Sequence, residues 1–514
     1  MGGQVDLPDP FYGYSLLLNL LIYLGLPLFG VLQFFRLRRA LHVFQLEGYK
    51  RSNFLRWAGE HRGRALWLRA APVKKPLAMT GRAWRILVLG ISLSVLAVFG
   101  AWVGAHLWLG GWPTDVIAYA LAAGLVFYFS SQLLALADGL LTPVQRAVND
   151  RYARRARNKL DEIKPVVVGV TGSYGKTSTK FVIEKLVAPE GEVLATPGSF
   201  NTTMGVVRSV NENLTGTHRY FVVEMGAKQR GDIAEIVAFT RPHIAVLTAI
   251  GPAHLESFGS LDNVRKAKYE IVAGLDADGV AVMNTDDAEV RAFADDFQRV
   301  KVIRYGLSSK GRPDVTARAV EFMPEGTSFT IVDTRTGEAV QARTSLLGRH
   351  AIANLLGAVA VAIESGRTLD ELVGPIRRLA PVEHRLQIIR GDGGITVIDD
   401  AFNSNPDGAA AALEVLGAMD APTKIVVTPG MIELGPLQAE ANERFGAQAG
   451  RVADALIVVA KVNRAAIVAG ATRAGRADIL QVDTLAAAQE ALQPLLKPGA
   501  VVLFENDLPD QYEG

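Results

Sequence analysis

Apolar residues are unevenly spaced along the chain, and the change in their spacing divides it. Across residues 11–35 nearly every position is apolar, with Asn19 and Gln33 the main interruptions, and residues 86–109 and 116–137 repeat the pattern. At about 1.5 Å of helical rise per residue, each run is long enough to cross a hydrocarbon core of roughly 30 Å. The pattern predicts three transmembrane helices in an N-terminal module of residues 1–140. The leader carries Asp6 and Asp9 and no basic residue, which argues against a secretory signal.

Beyond residue 164 the period changes. Residues 166–170 form a short β-branched run, 171–175 a tight turn and 176–187 a helical stretch. Runs at 220–223, 244–249 and 280–284 read as further buried strands separated by helices, which predicts a mainly parallel sheet covered on both faces. Residues 315–345 alternate apolar and polar and predict a small antiparallel insertion. After Pro381 a second set of strands at 395–399, 424–428, 455–459 and 501–504, with Ala-rich helices between, predicts a separate Rossmann-like domain. The predicted organisation is α/β: a membrane module at 1–140, a linker at 141–164, a nucleotide-binding domain at 165–380 and a C-terminal domain at 381–514.

Composition sharpens this picture at three points. At 49% hydrophobic, 21% charged and a mean hydropathy of +0.20, the chain is neither disordered nor a small disulfide scaffold. Its lack of cysteine removes disulfides, thiolate metal sites and a cysteine nucleophile. Lys+Arg 54 against Asp+Glu 52 leaves little net charge, but residues 36–85 hold 13 basic residues against two acids, Glu47 and Glu60. The positive-inside rule then places the N-terminus outside and the 36–85 loop and everything after residue 140 inside, giving a multi-pass protein of an inner (cytoplasmic) membrane. Trp57, Trp67 and Trp84 among those basic residues suit a segment lying at a bilayer surface. Basic residues that hug apolar runs do not predict a nucleic-acid partner.

Thr171-Gly172-Ser173-Tyr174-Gly175-Lys176-Thr177-Ser178 lies between a predicted strand and a predicted helix. Glycines there let backbone N–H groups close on phosphate oxygens, and the helix N-terminus adds positive potential. Lys176 would reach the β- and γ-phosphates and the Thr177 hydroxyl would ligate Mg²⁺, although Val170 stands where the strict motif has its first glycine. The segment predicts ATP binding by Gly172, Ser173, Gly175, Lys176, Thr177 and Ser178.

The variant loop resembles that of the Mur ligase superfamily, and further motifs follow in order. Pro197-Gly198-Ser199-Phe200-Asn201 is similar to the segment whose Asn approaches the γ-phosphate; Glu224-Met225-Gly226-Ala227 and Gly251-Pro252-Ala253-His254 resemble the MurF branch. The resemblance implies that Glu224 and His254 help to hold two magnesium ions and that Lys268 is carbamylated and ligates the second. Gly348-Arg349-His350 with Asn354 is similar to the adenine contact. His384-Arg385, Asp399-Asp400 and Asn403-Ser404-Asn405-Pro406 resemble the start of the C-terminal domain, with Arg385 and Asp400 catalytic and Asn403 and Asn405 near substrate. Taken as residues alone, Glu224 also reads as a capping acid, His254 as a hydrogen-bonded structural histidine, Asp400 as a helix N-terminal acid and Lys268 as a surface lysine. Glu383 and Glu433 have no role in this reading.

Amide formation from a carboxylate needs a better leaving group than hydroxide. ATP supplies one when the carboxylate takes the γ-phosphoryl group, and positioning and charge neutralisation carry that transfer. The expectation is an ATP-dependent amide ligase acting at the inner membrane face on a lipid-linked or UDP-linked muropeptide, with an amino acid or dipeptide as the amine. A polyamide synthetase similar to poly-γ-glutamate or cyanophycin enzymes and a non-ligating nucleotide switch remain alternatives. Three departures from the MurF pattern stand out. Pro429-Gly430 replaces a Gly-Asp pair, Glu505-Asn506-Asp507 lies where a Lys-Gly-Ser-Arg run is expected, and residues 1–164 show no nucleotide-sugar domain.

Overall fold

The computed structural model describes residues 10–61, 76–109, 112–189, 191–198, 200–323, 326–402, 404–475 and 477–507. It separates into two compact units, one reaching Asp150 and one starting at Arg151.

The first unit is helical. Its helices are Pro10–Leu46, Arg51–Glu60, Gly81–Leu109 and Trp112–Tyr128, and Ser130–Ile163 begins in it. Leu37, Leu41, Phe44, Phe54, Ile86, Leu87 and Leu134 form a buried cluster, so much of the apolar patterning serves helix-to-helix packing. Gln33, 1% exposed, bonds to Ser94 and Ser130 within this packing, and the half-exposed Arg51 and Arg82 converge on buried Asp138. Leu28, Leu96 and Leu121 stay exposed.

The expectation of three spans is corrected here. Among the described residues one helix, Gly81–Trp108 with a mean hydropathy of 2.5, is long and apolar enough to cross a membrane. The run predicted at 116–137 is not one straight helix: it breaks beside Phe129, and Thr114–Tyr128 and Ser130–Ile163 meet at a bend of 73°, which makes two candidates at most. The run at 11–35 belongs to a longer helix that carries Arg36, Arg38 and Arg39 to its end at Leu46. A multi-pass inner-membrane protein with its N-terminus outside is therefore not what the fold gives, and the bilayer is set aside as a partner. Part of the basic loop, including Trp67, and the leader lie outside the described residues. The segment 141–164, expected as a linker, is mostly helix.

The second unit contains two α/β domains. The strands of the first are β1 (Val166–Thr171), β2 (Val193–Ala195), β3 (Tyr220–Glu224), β4 (Ile244–Leu247), β5 (Val280–Asn284), β6 (Lys301–Tyr305), β7 (Val315–Met323), β8 (Gly326–Asp333) and β9 (Ala339–Thr344). They form one sheet in the order β2-β3-β1-β4-β5-β6-β7-β8-β9, parallel from β2 to β7 and antiparallel from β7 to β9. Alternate residues serve opposite faces, as the strand period requires. Val168, Val222, Val246 and Val282 pack under the helices Lys176–Leu186 and Arg349–Glu364, whereas Val167, Phe221, Ala245 and Ala281 pack against Thr203–Asn213, Asp232–Thr240 and Leu261–Ala273. Each such buried Val contributes roughly 1.5–3 kcal/mol. The antiparallel insertion predicted at 315–345 is β7 to β9.

The second domain holds β10 (Gln387–Arg390), β11 (Thr396–Asp400), β12 (Lys424–Thr428), β13 (Ala455–Val459), β14 (Asp478–Val482) and β15 (Val501–Glu505). Their order is β10-β11-β15-β12-β13-β14, parallel except for edge strand β10. In both sheets the loops that follow the parallel strands gather the predicted site residues, the usual ligand position in open α/β sheets.

Candidate active site

β1 ends at Thr171, whose hydroxyl donates to the Met225 carbonyl at 2.7 Å and ties the loop to the strand beside it. A Cβ on Gly172 would lie 2.0 Å from Thr248 Oγ1, and one on Gly175, at φ +77°, would lie 2.5 Å from Asn354 Oδ1. These two close approaches keep side chains out of the loop and leave a concave run of backbone leading into the helix Lys176–Leu186, which fits a phosphate chain. Ser173 holds the loop from behind: its N–H donates to Ala249 O at 2.7 Å, and its hydroxyl donates to Gly251 O at 3.0 Å. Lys176 Nζ donates to the Gly172 and Ser173 carbonyls at 2.7 and 3.1 Å, with its ammonium pushed below the ordinary lysine value by burial. Thr177 and Ser178 line the same cleft.

One helical turn after Lys176 stands a residue that the sequence reading passed over. Lys180 is fully buried and donates to Thr196 O at 2.8 Å, Gly198 O at 2.5 Å and Glu224 Oε2 at 3.2 Å. Glu224, at the end of β3 and 1% exposed, also accepts from Asn201 Nδ2 at 3.2 Å. Asn201 O in turn takes the Gly226 N–H at 2.7 Å. Glu224 is thus an oriented buried carboxylate held by a cation and an amide, and not a helix cap. The helix Lys176–Leu186 buries Lys180 together with Thr179, Val182, Ile183 and Leu186, and no apolar periodicity marks the lysine as one of them.

Lys268 sits on the helix Leu261–Ala273 at 3% exposure, with no carboxylate within ion-pair distance among the described residues. Burial, reinforced by the Lys176 charge, holds its ammonium well below the usual lysine range. The charges of Lys176 and Glu224 both act on Lys268. His254 lies apart from it in its contacts. In a left-handed turn at φ 58°, its Nδ1 meets Glu433 Oε2 of the C-terminal domain at 2.5 Å. Glu433, itself at φ 63°, is held below its ordinary value by that contact. Among the described residues no three His, Asp or Glu side chains converge as a ready-made metal cage. The oxygens of Thr177 and Glu224 fit a hard cation that keeps waters and phosphate oxygens as its remaining ligands.

The opposite wall comes from the C-terminal domain and the helix Arg349–Glu364. His350 and Asn354 line the cleft, Asn354 directly against Gly175. Arg385 stacks its guanidinium over Phe402 at 4.7 Å and makes no ion pair among the described residues, which leaves its donors to the cleft. Asp400, at the end of β11, accepts from the Leu386 N–H at 3.1 Å. Asn405 lines the cleft, but its Oδ1 accepts from Gly408 N at 2.9 Å and so caps the helix Pro406–Ala418; Asn403 lies outside the described residues. Ser404 and Glu505, which the sequence reading did not single out, hydrogen bond beneath Asp400. The cleft measures about 1440 Å³, more than the roughly 300–1,000 Å³ of a site for one small ligand.

Comparison with known proteins agrees with this geometry. Residues 170–362 match the Mur ligase middle domain and residues 384–505 the Mur ligase glutamate ligase domain. The UDP-N-acetylmuramoyl-tripeptide–D-alanyl-D-alanine ligase of Escherichia coli K12 is 34% identical over 346 residues, 66% of this chain and 75% of the relative. The enzyme of that name from Mycobacterium tuberculosis H37Rv is 33% identical over 362 residues, 66% and 70% of the two chains. Among solved structures, MurF from Acinetobacter baumannii superposes with a TM-score of 0.63 at 26% identity, over 70% of this chain and 77% of its own. MurF from Thermotoga maritima in complex with ADP gives 0.62 at 26% identity, over 70% and 80%. The chain belongs to the Mur ligase family as a MurF-like, ATP-dependent carbon–nitrogen ligase.

Proposed function

We propose that the chain joins the terminal carboxylate of a UDP-linked muramoyl peptide to the amine of a dipeptide such as D-alanyl-D-alanine, through an acyl phosphate. The observation that carries this reading is one cleft lined by Gly175, Thr177 and Ser178 of the glycine loop and its helix and by Arg385 and Asp400 from the C-terminal domain. The nucleotide-binding domain is proposed to span 165–380 and the closing domain 381–514.

In this reading the glycine loop and Lys176 hold the β- and γ-phosphates, His350 and Asn354 face the base, and Arg385 offsets charge as it spreads onto the γ-phosphoryl oxygens. Mg²⁺, held by Thr177 and Glu224, would supply charge neutralisation on those oxygens, while the contact of His254 with Glu433 gives no support to a second ion shared with Lys268. Lys180 pairs with Glu224 and aims it, and Asn201 steers the loop beside it. Lys268 suits carbamylation: a buried, uncharged amine is the form that adds CO₂, and the product is an anion able to face a cation. Asn405 borders the space left for the acceptor.

Purified protein offered ATP, UDP-N-acetylmuramoyl tripeptide and D-alanyl-D-alanine is expected to release phosphate and form one discrete product. A ladder of products would identify a polyamide synthetase instead, and ATP turnover indifferent to both substrates a switch. Lys268→Ala is expected to abolish ligation while ATP binding persists, with partial recovery on adding a short carboxylic acid. Full activity in that variant would remove the carbamate.

A further inference from the structure

Parallel pairing of β11 with β15 sets Asp400 beside Glu505 in register. Neighbouring strands place residues at one register on the same face, so two carboxyl groups meet at the C-terminal wall of the cleft. Asp400 lines that cleft, whereas Glu505 lies behind it at 1% exposure. Ser404 donates its hydroxyl to Glu505 Oε1. Glu505 Oε2 is buried and has no hydrogen-bond partner among the described residues; across the paired strands its register neighbour is Asp400. A buried carboxylate oxygen without a donor is costly, and two adjacent carboxylates do not both ionise. The contact closes only if Glu505 carries a proton and donates it to Asp400. Asp400 then holds the single negative charge of the pair, steered by the Leu386 N–H on Oδ1 and the Glu505 O–H.

Other contacts fix the pair. Asn506 N donates to Asp400 O at 3.1 Å, Ser404 N donates to Asn506 Oδ1 at 3.1 Å, and Asn506 Nδ2 donates to Gly430 O at 2.5 Å. The charged groups that act on Asp400 are Arg385 from the segment before β10, Glu505 from β15 and, from the next position of its own strand, Asp399. Burial outweighs Arg385 and raises Asp400 to about 6 and Glu505 well above the ordinary glutamate value. A carboxylate raised toward neutrality is better matched to accept a proton than an ordinary aspartate.

We propose that Asp400 takes the proton from the incoming ammonium and that Glu505 is the positioning residue that keeps Asp400 ionised and aimed for it. The idea rests on the acyl-phosphate reading given above. The ammonium R–NH₃⁺ gives one proton to the Asp400 carboxylate and becomes R–NH₂. Its nitrogen lone pair then forms the N–C bond as the C–O bond to phosphate breaks. The second nitrogen proton leaves with the phosphate as HPO₄²⁻, and Asp400 returns its proton to solvent. Glu505 exchanges nothing; its proton stays in the hydrogen bond.

The experiment uses the full chain with ATP and UDP-N-acetylmuramoyl tripeptide, and offers two nucleophiles in parallel. D-Alanyl-D-alanine arrives as an ammonium and needs a proton acceptor; hydroxylamine, neutral at the assay pH, does not. Glu505→Ala is expected to cut amide formation about 100-fold, the scale of a general-base contribution, while hydroxamate formation and KM for ATP stay at wild-type values. Glu505→Gln is expected to restore the amide rate, because its amide N–H donates to Asp400 in place of the O–H. Equal loss of amide and hydroxamate in Glu505→Ala would show a merely structural role and overturn the proposal, as would an unaltered amide rate or a Gln variant as slow as Ala. Absence of hydroxamate from the wild-type protein would remove the acyl phosphate and this proposal with it; hydroxamate formed alongside any of the other adverse results would remove this proposal alone.

Discussion

Lys180 and Glu224 show what single side chains contribute beneath the nucleotide loop. Both are buried, and the pair is satisfied on every side by Thr196 O, Gly198 O and Asn201 Nδ2. Removing one member leaves the other charge without its partner, so Lys180→Met is expected to cost about 3–5 kcal/mol in urea unfolding. The double variant Lys180→Met, Glu224→Gln should recover a large part, and equal loss in single and double variants would show that the pair is not coupled. Asp400 is a pH-sensitive case. Its carboxyl is raised from 3.8 to about 6, so the stability linked to its proton is fully present below about 3.8 and lost as pH rises through about 6. Asp400→Asn should therefore match wild type near pH 3.5 and be more stable at pH 8, by up to about 3 kcal/mol. A gain of equal size at both pH values would refute the linkage. The glycine loop was readable because its spacing carries the chemistry, whereas Glu224 entered only through the resemblance of its segment to a family motif. Lys180 was harder, since a lysine reads as solvated by default. The Asp400–Glu505 contact depends on strand register between distant segments, which local sequence does not hold.

Among elements, the central strands announced themselves as β-branched runs because both of their faces are buried. β10 and β14 did not: Gln387-Ile388-Ile389-Arg390 and Asp478-Ile479-Leu480-Gln481-Val482 lie at sheet edges and are partly exposed, so they lack that pattern. The run at 116–137 misled for the opposite reason. Its apolar character is continuous, but the break beside Phe129 is a backbone event that hydropathy does not register. Helix contact in the C-terminal domain depends on small residues. A Cβ on Gly470 would lie 1.9 Å from Glu443 O, and one on Gly446 would lie 2.2 Å from Ile467 O, so Gln438–Val452 and Arg464–Ala474 touch backbone to backbone. Gly470→Ala is expected to force them apart at a cost of about 1–3 kcal/mol, read as a lower unfolding midpoint. An unchanged midpoint would mean the helices slide without penalty.

For the ligase as a whole, the two α/β domains face each other across one cleft, and His254–Glu433 is a direct side-chain bond between them. Glu433→Ala should let the cleft widen. The expected signs are a larger radius of gyration in solution scattering and a KM for ATP raised roughly tenfold, the scale of one hydrogen bond to a charged group. An identical scattering curve and KM would assign the bond no part in closure. Sequence pattern foretold two α/β domains, yet not this bond, because nothing in the spacing of His254 and Glu433 relates them. Lys176 has a consequence at the same scale. Its ammonium leans on two carbonyls of its own loop, Gly172 O and Ser173 O. An incoming anion must out-compete two neutral dipoles before it wins that cation, and charge-assisted bonds are roughly twice as strong as neutral ones. Dilute chloride or acetate gains little by the exchange, whereas the densely charged tail of a nucleoside triphosphate gains much. The lysine thus sets a threshold of anionic charge at the door of the cleft.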